Sequence, residues 1–296
     1  MDIKAVCYGE VLWDMFPSEE RIGGAPLNVA SRLRASGIET KIISRIGKGE
    51  KGEKLLKYME DIGLGIQNVQ VDEEIPTGIV KVKLSKNGSA TYEISCPAAW
   101  DKIQLNEKVL KCVEEAQVFI FGSLICRDEI SRATLFECLH KAKWKVFDLN
   151  LRPPHYDVKV LTELMQKSDF LKFNDDELFE IAESLGSVYN SLEQNLNFIS
   201  EITNTSSICV TKGRHGAVLL HNENLYYNSG YKIKVKDTVG AGDSFLASLI
   251  AKILQNEPPQ LALDYACAVG ALVAASEGAN PRLEKERIEN FFQPKI

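Results

Sequence analysis

The sequence predicts an α/β fold: a mainly parallel sheet flanked by helices, with a small β-sheet lid. Three observations predict it. Apolar, strand-like runs alternate with amphipathic helical ones in both halves of the chain. The alternation breaks near residues 66–100, where "GIVKVKLS" and "ATYEIS" flank an Asn87–Gly88 turn with no helix between them. Glycine-rich segments stand where strands hand over to helices. The 296 residues suit one large domain spanning 1–296, with its lid drawn from about 10–22 and 66–100.

Taken in order, "AVCYGEVLWDMF" reads as a strand whose functional end falls near Gly9–Asp14. "PLNVASRLRASG" carries small and apolar residues at helical spacing and stops at Gly37. "TKIISRIG" is a β-branched strand, and "EKLLKYMEDIG" a short helix ending at Gly63. After the lid, "VFIFGSL", "WKVFDLNL" and "FLKFN" are strands separated by the helices "ISRATLFECLHKA" and "KVLTELMQKS". "DDELFEIAESLG" is a helix, "SSICVTKG" and "GAVLLHNENLYYN" are strands, and "GDSFLASLIAKILQN" is an amphipathic helix. "LALDYACAVGALVAASEG" is a nearly all-apolar helix and belongs in the core.

Composition narrows the function. The net charge is −6 and the basic residues are scattered, which argues against a nucleic-acid partner. No stretch of about 18 apolar residues occurs, so no membrane span is expected, and the chain reads as cytoplasmic. Seven cysteines, none in a C-x-x-C pair, lie mostly in apolar runs and read as buried free thiols. "GKGEKG" (Gly47–Gly52) has the form of a dinucleotide fingerprint, with Asp72 downstream. Its Lys and Glu residues stand where close approach to a pyrophosphate favours small ones, and Glu53 replaces the lysine of a P-loop. The four histidines show no metal-ligand spacing, and no G-x-S-x-G is present.

Two segments carry chemistry. In "DTVGAGDSF", a Gly-Ala-Gly turn precedes a helix, so backbone N–H groups can converge on an anion without side chains in the way. Asp243 follows in the first helical turn, either as a general base or only as a helix-capping acid. In "RIGGAPLNVASRLRASG", Gly23–Gly24 lets a small polar ligand approach, and Asn28 can donate and accept at once. Glu10 and Asp14 lie at the preceding strand end, where carboxylates suit sugar hydroxyls.

Together these segments resemble the two signatures of the ribokinase/PfkB family of carbohydrate kinases: Gly23–Ala30 continuing to Gly37 and Gly47, and Asp237–Asp243. The resemblance spans essentially the whole chain and implies a ribokinase-like three-layer αβα domain with a β-sheet lid. It implies Asp243 as the base, with the N–H groups of Gly240, Ala241 and Gly242 as the anion hole for the γ-phosphate. It implies Asp14, Gly24, Asn28 and Arg152 as sugar or phosphate ligands. Asn174 and Glu177 match the N-x-x-E element that organises Mg²⁺, with Glu177 acting through water. Thr211, Gly213 and Gly216 fall at the nucleotide-binding strand end. Asp237 and Val239 match a monovalent-cation site, but Arg282 stands where a small hydroxyl residue often helps, which leaves K⁺ open. The implied partners are ATP and a small sugar, and a homodimer through the lid is allowed.

The sugar is read at branch level. "YGEVLWDMFP" and "DLNLRP" are closest to the fructokinase and ketodeoxygluconate-kinase branch, and "CPAAWD" is expected in or under the lid, packing on a sugar face. Fructose, phosphorylated on its 6-hydroxyl, is the first choice; ribose, 2-keto-3-deoxygluconate and a nucleoside are the competitors. Two other classes stay open: a non-catalytic sugar-binding regulator with the same fold, and an NAD-linked dehydrogenase built on "GKGEKG".

Overall fold

A computed structural model describes residues 3–84 and 90–292, so the expected turn at Asn87–Gly88 lies outside the described residues. The chain forms two compact units, Met1–Lys143 and Trp144–Ile296.

The first unit opens with β1 (Lys4–Tyr8), β2 (Leu12–Met15), β3 (Glu20–Gly23) and α1 (Ala25–Ala35). β4 (Glu39–Gly47), α2 (Glu50–Asp61), β5 (Gly65–Asp72), β6 (Gly78–Leu84) and β7 (Ala90–Ile94) follow, then α3 (Glu107–Glu115), β8 (Val118–Gly122) and α4 (Glu129–Lys141). Its main sheet is parallel, in the order β8-β1-β4-β5. These strands read as continuous apolar runs because helices cover them, as in other parallel sheets; four of the five residues of β1 are buried. A second, four-stranded sheet runs β3-β2-β6-β7, with only the β2–β6 pair parallel. This is the expected lid, with one difference in its make-up. Residues 65–72 pair with β4 in the main sheet instead of joining the lid. Polar residues interrupt "GIQNVQVD" and hide an edge strand with only Asn68 and Asp72 buried.

The second unit contains β9 (Lys145–Asp148), α5 (Val158–Gln166), β10 (Phe170–Asn174), α6 (Asp175–Ser184) and α7 (Leu192–Thr203). β11 (Ser207–Thr211), β12 (Ala217–His221), β13 (Asn224–Asn228), α8 (Ala241–Leu254), α9 (Pro259–Ala274) and α10 (Lys285–Phe292) complete it. β9, β10 and β11 are parallel; β12 and β13 return antiparallel. The β12–β13 turn places Asn222 and Glu223 at positive φ, the geometry of a tight two-residue hairpin. α9 is apolar nearly all round because α8, α10 and the β12–β13 strands surround it. Cys7, Cys112, Cys126, Cys138, Cys209 and Cys267 are buried free thiols, as expected, while Cys96 is exposed. Among the described residues, no helix is long and apolar enough to cross a membrane.

At the end of β5, Asp72 shows how the first unit pins its loops. Its Oδ1 accepts from the N–H groups of Glu74 and Ile75, and its Oδ2 lies 2.9 Å from the Arg45 guanidinium. Burial opposes its ionisation, but the two N–H groups and Arg45 outweigh burial and hold the carboxyl below its ordinary range. A depressed folded-state value adds stability above the unfolded carboxylate pKa of about 3.9, and that stability is lost as pH falls through the folded value. Urea unfolding of wild type and Asp72→Asn should therefore show a clear gap at pH 7 that closes as pH falls below about 4.

Candidate active site

The residues expected to hold sugar lie in the first unit. Gly24 links β3 to α1 as the helix's cap residue with φ +112°, and a Cβ there would lie 2.5 Å from the Glu10 carbonyl. The position requires glycine on both counts. Its carbonyl accepts the Asn28 N–H at 2.9 Å, so α1 starts at this turn, and Asn28 is buried in the first helical turn. Asp14 lies on β2 beside β3, where a side chain at Gly23 would collide with its carboxylate. Glu10 is buried in the loop after β1.

Trp100 lies under the lid, as expected, but is not open to a sugar face. It is fully buried, with the Arg127 guanidinium stacked 4.0 Å from its ring centroid and its indole nitrogen hard against Gly78 of the lid. It forms the floor beneath the lid and presents no face to a ligand. Arg127 holds that floor: Nε and Nη2 each donate to Asp101 at 2.8 Å, and Nη2 also donates to the Ser95 carbonyl at 2.6 Å. The salt bridge is buried, with side-chain exposures of 5% and 1%.

The second unit gathers the remaining candidates at the C-terminal ends of its parallel strands, where α/β sheets bind ligands. α8 begins at Gly240, which adopts the left-handed conformation with φ +73°; a Cβ there would lie 2.5 Å from the Ala279 carbonyl. No side chain caps this helix. Gly240 is itself the cap residue, and Asp243 stands in the first turn. The capping reading of Asp243 thus reduces to a favourable place on the helix dipole. The Ala241 N–H is turned back to the Thr238 carbonyl at 3.2 Å, so of the three N–H groups expected to form an anion hole, one is already engaged.

Glu177 is a strut. Its Oε2 accepts from the Asn174 N–H at 2.8 Å, the Asn174 side chain accepts from the Glu177 N–H at 2.8 Å, and Oε1 accepts from the Leu151 N–H at 2.9 Å. This capping box fastens the start of α6 to the loop after β9. Burial pushes the Glu177 carboxyl up, against the opposing pull of Lys172. Arg152 is exposed, donates to the neighbouring Leu151 carbonyl, and makes no ion pair among the described residues. Asp237 bridges two loops, accepting from Val239 N–H at 3.0 Å and Gly278 N–H at 3.2 Å. Arg282 does not enter that corner: it is 91% exposed and pairs with Glu284.

A cavity of about 310 Å³ lies beside the turn. Thr238, Ala241 and Gly242 line one part of it; Thr211, Gly213 and Gly216 line another; Tyr231, Phe245 and Cys267 contribute apolar wall. The sequence-predicted anion turn and nucleotide strand end therefore share one chamber.

Sequence reasoning missed a buried pair beside the first turn of α8. Lys172 on β10 and Asp148 on β9 are cross-strand partners, buried, with 2.9 Å between Lys172 Nζ and Asp148 Oδ1. The signal was a lysine inside the apolar run "FLKFN". A charge on a strand buried on both faces needs a partner and marks a site.

The family model for "pfkB family carbohydrate kinase" matches residues 1–286. The chain belongs to the pfkB family. Its members are phosphotransferases acting on carbohydrates, and this chain is a carbohydrate kinase of that family. It is 30% identical over 302 residues to a Pyrococcus horikoshii sugar kinase described as uncharacterized, covering 98% of this chain and 92% of the relative. The crystal structure of that protein in complex with ATP superposes with a TM-score of 0.84, over 98% of each chain at 26% identity. A fructokinase of Salmonella typhimurium is 26% identical over 307 residues, covering 97% of this chain and 98% of its own. The fold is shared with a Vibrio cholerae fructokinase double mutant solved with fructose, ADP and potassium, at a TM-score of 0.85 and 21% identity, covering 99% of each chain.

Removing Arg127 leaves Asp101 buried without its cation. Breaking a buried pair in this way costs about 3–5 kcal/mol. Arg127→Met should therefore lower the urea midpoint sharply, whereas substitution of the exposed Arg282 should leave it within experimental error.

Proposed function

We propose that this kinase transfers the γ-phosphoryl group of ATP to a primary hydroxyl of a small sugar, with fructose and its 6-hydroxyl as the first choice. One observation carries the reading: the uncapped start of α8, with Asp243 in its first turn, borders the same cavity as Thr211, Gly213 and Gly216. A nucleotide in that cavity would direct its phosphates at the helix N-terminus, where N–H groups outside the helical ladder and the positive dipole end favour an anion. Asp243 would take the proton of the attacking sugar hydroxyl as its oxygen bonds to the γ-phosphorus. The bond to the β-phosphate oxygen breaks, and ADP leaves. Phosphoryl transfer asks chiefly for positioning and charge stabilisation, so an ordinary carboxylate serves as base.

Asp14, Gly24 and Asn28 would bind the sugar. Support for fructose comes from the similarity to the Salmonella fructokinase, which is sequence-wide. Ribose and 2-keto-3-deoxygluconate are the alternatives; a sugar acid would call on Arg152, whose guanidinium is exposed and without an ion-pair partner among the described residues.

Among the described residues, no cluster of three or more His, Cys, Asp or Glu could hold a metal ion. Mg²⁺ suits such a site when phosphates and water supply most of its ligands. Asp148, Glu177 and Asp243 face a single Lys172, and this excess of negative charge fits a hydrated divalent ion. Glu177 would accept from its water, and the ion would neutralise phosphate charge. A monovalent cation would sit at Asp237 and the Val239 backbone, a corner that Arg282 leaves clear. The chain would act in the cytoplasm, and the lid sheet is the candidate surface for a homodimer.

An ADP-release assay across fructose, ribose, 2-keto-3-deoxygluconate and adenosine should give the highest kcat/KM with fructose; a preference for another of these reassigns the sugar. Release with none of them would favour a non-catalytic regulator. Asp243→Asn should keep nucleotide affinity and lose about 10²–10⁴-fold in kcat. Turnover near wild type would remove Asp243 from the role of base.

A further inference from the structure

The Lys172–Asp148 pair is not needed by the fold. Its strand neighbours Leu171 and Phe173 are fully buried, and hydrophobic residues of similar volume commonly replace a buried ion pair at no loss of stability. Yet Asp148 ends β9, and Lys172 stands opposite it in the middle of β10. Its position is specific. A Cβ built at Gly242 would have Lys172 Nζ 3.6 Å away and no other atom within 4 Å, apart from chain neighbours and its own helix backbone. The ammonium therefore faces the open side of the first turn of α8, next to Asp243. Asp148 is 4% exposed, its Oδ1 lies 2.9 Å from Lys172 Nζ, and neither of its oxygens has a well-formed hydrogen bond.

We infer that Lys172 is a further catalytic residue, a fixed cation beside the first turn of α8 that contacts the phosphoryl group in flight, with Asp148 as the positioning residue that holds it in place. The inference rests on the kinase reading above. The phosphoryl group moves from the β-phosphate oxygen to the sugar oxygen, the hydroxyl proton passes to Asp243, and Lys172 neither gains nor loses a proton. Its role is to offset charge on the equatorial oxygens, which the partly engaged N–H turn does incompletely.

The test compares wild type, Lys172→Met, Lys172→Arg and the double variant Asp148→Asn/Lys172→Met, all in excess Mg²⁺. Lys172→Met should lower kcat about 10²–10³-fold while the sugar KM stays within about threefold. ADP affinity should also stay within about threefold, but the tightening of ADP binding by aluminium fluoride, which mimics the transferred phosphoryl, should vanish. Lys172→Arg should retain that tightening. The double variant removes one charge of each sign and leaves the net charge of the site unchanged, so it reports even if the single variant fails to fold; it too should lose the tightening. A double variant that keeps full kcat and the aluminium fluoride effect would make the pair purely structural and overturn the inference. If wild type phosphorylates no sugar, the kinase reading has failed, and the aluminium fluoride comparison still decides whether Lys172 meets a phosphoryl mimic.

Discussion

A charge inside a parallel sheet must be matched by a charge on the neighbouring strand, and the Lys172–Asp148 pair meets that demand where β9 ends. Around it the candidate groups of the second unit gather. Asn174, two residues beyond Lys172, caps α6; Glu177 on that helix returns to the loop after Asp148; Thr211 ends the next strand and borders the chamber. The pair thus keeps three strand ends, a helix start and a loop in one electrostatic field. The low dielectric that makes such a pair costly also makes its charge effective on a ligand.

The first unit works differently. Its candidate sugar-binding groups are set by close backbone approach: Gly24 against the Glu10 carbonyl, and Gly23 giving way to the Asp14 carboxylate. Beneath the lid the work is done by stacking and a buried ion pair, with Arg127 clamped between Trp100, Asp101 and the Ser95 carbonyl. Preorganisation therefore combines sterics with a buried ion pair in the first unit and rests on a cross-strand ion pair in the second.

What could be read from the sequence follows the same division. "GGAPLNVA" and "DTVGAGDSF" were legible because their chemistry is local: a left-handed or crowded backbone admits only glycine, and the acid follows within a turn. The β-α alternation and the lid hairpin were legible as periodicity. Lys172 and Asp148 were not, because 24 positions separate residues that only strand pairing brings together. Trp100 looked like a sugar platform because an aromatic beside small residues carries no mark of which face is covered. β5 was lost because an edge strand with few buried residues shares its polar alternation with a lid strand, and α3 and α7 because short polar helices declare themselves chiefly by caps such as Asn106 and Ser191. The three-donor anion hole needed the Thr238–Ala241 turn to be seen before one donor could be set aside.

The wall of the chamber includes Cys267, whose thiol burial pushes up to about 12, with Asp264 reinforcing the shift and Lys212 opposing it. Sulfur attacks and is oxidised as thiolate, and a thiol so far from ionising presents almost none near neutral pH. The chamber is thus lined by a sulfur that packs as a small hydrophobe and resists peroxide, disulfide exchange and electrophiles alike.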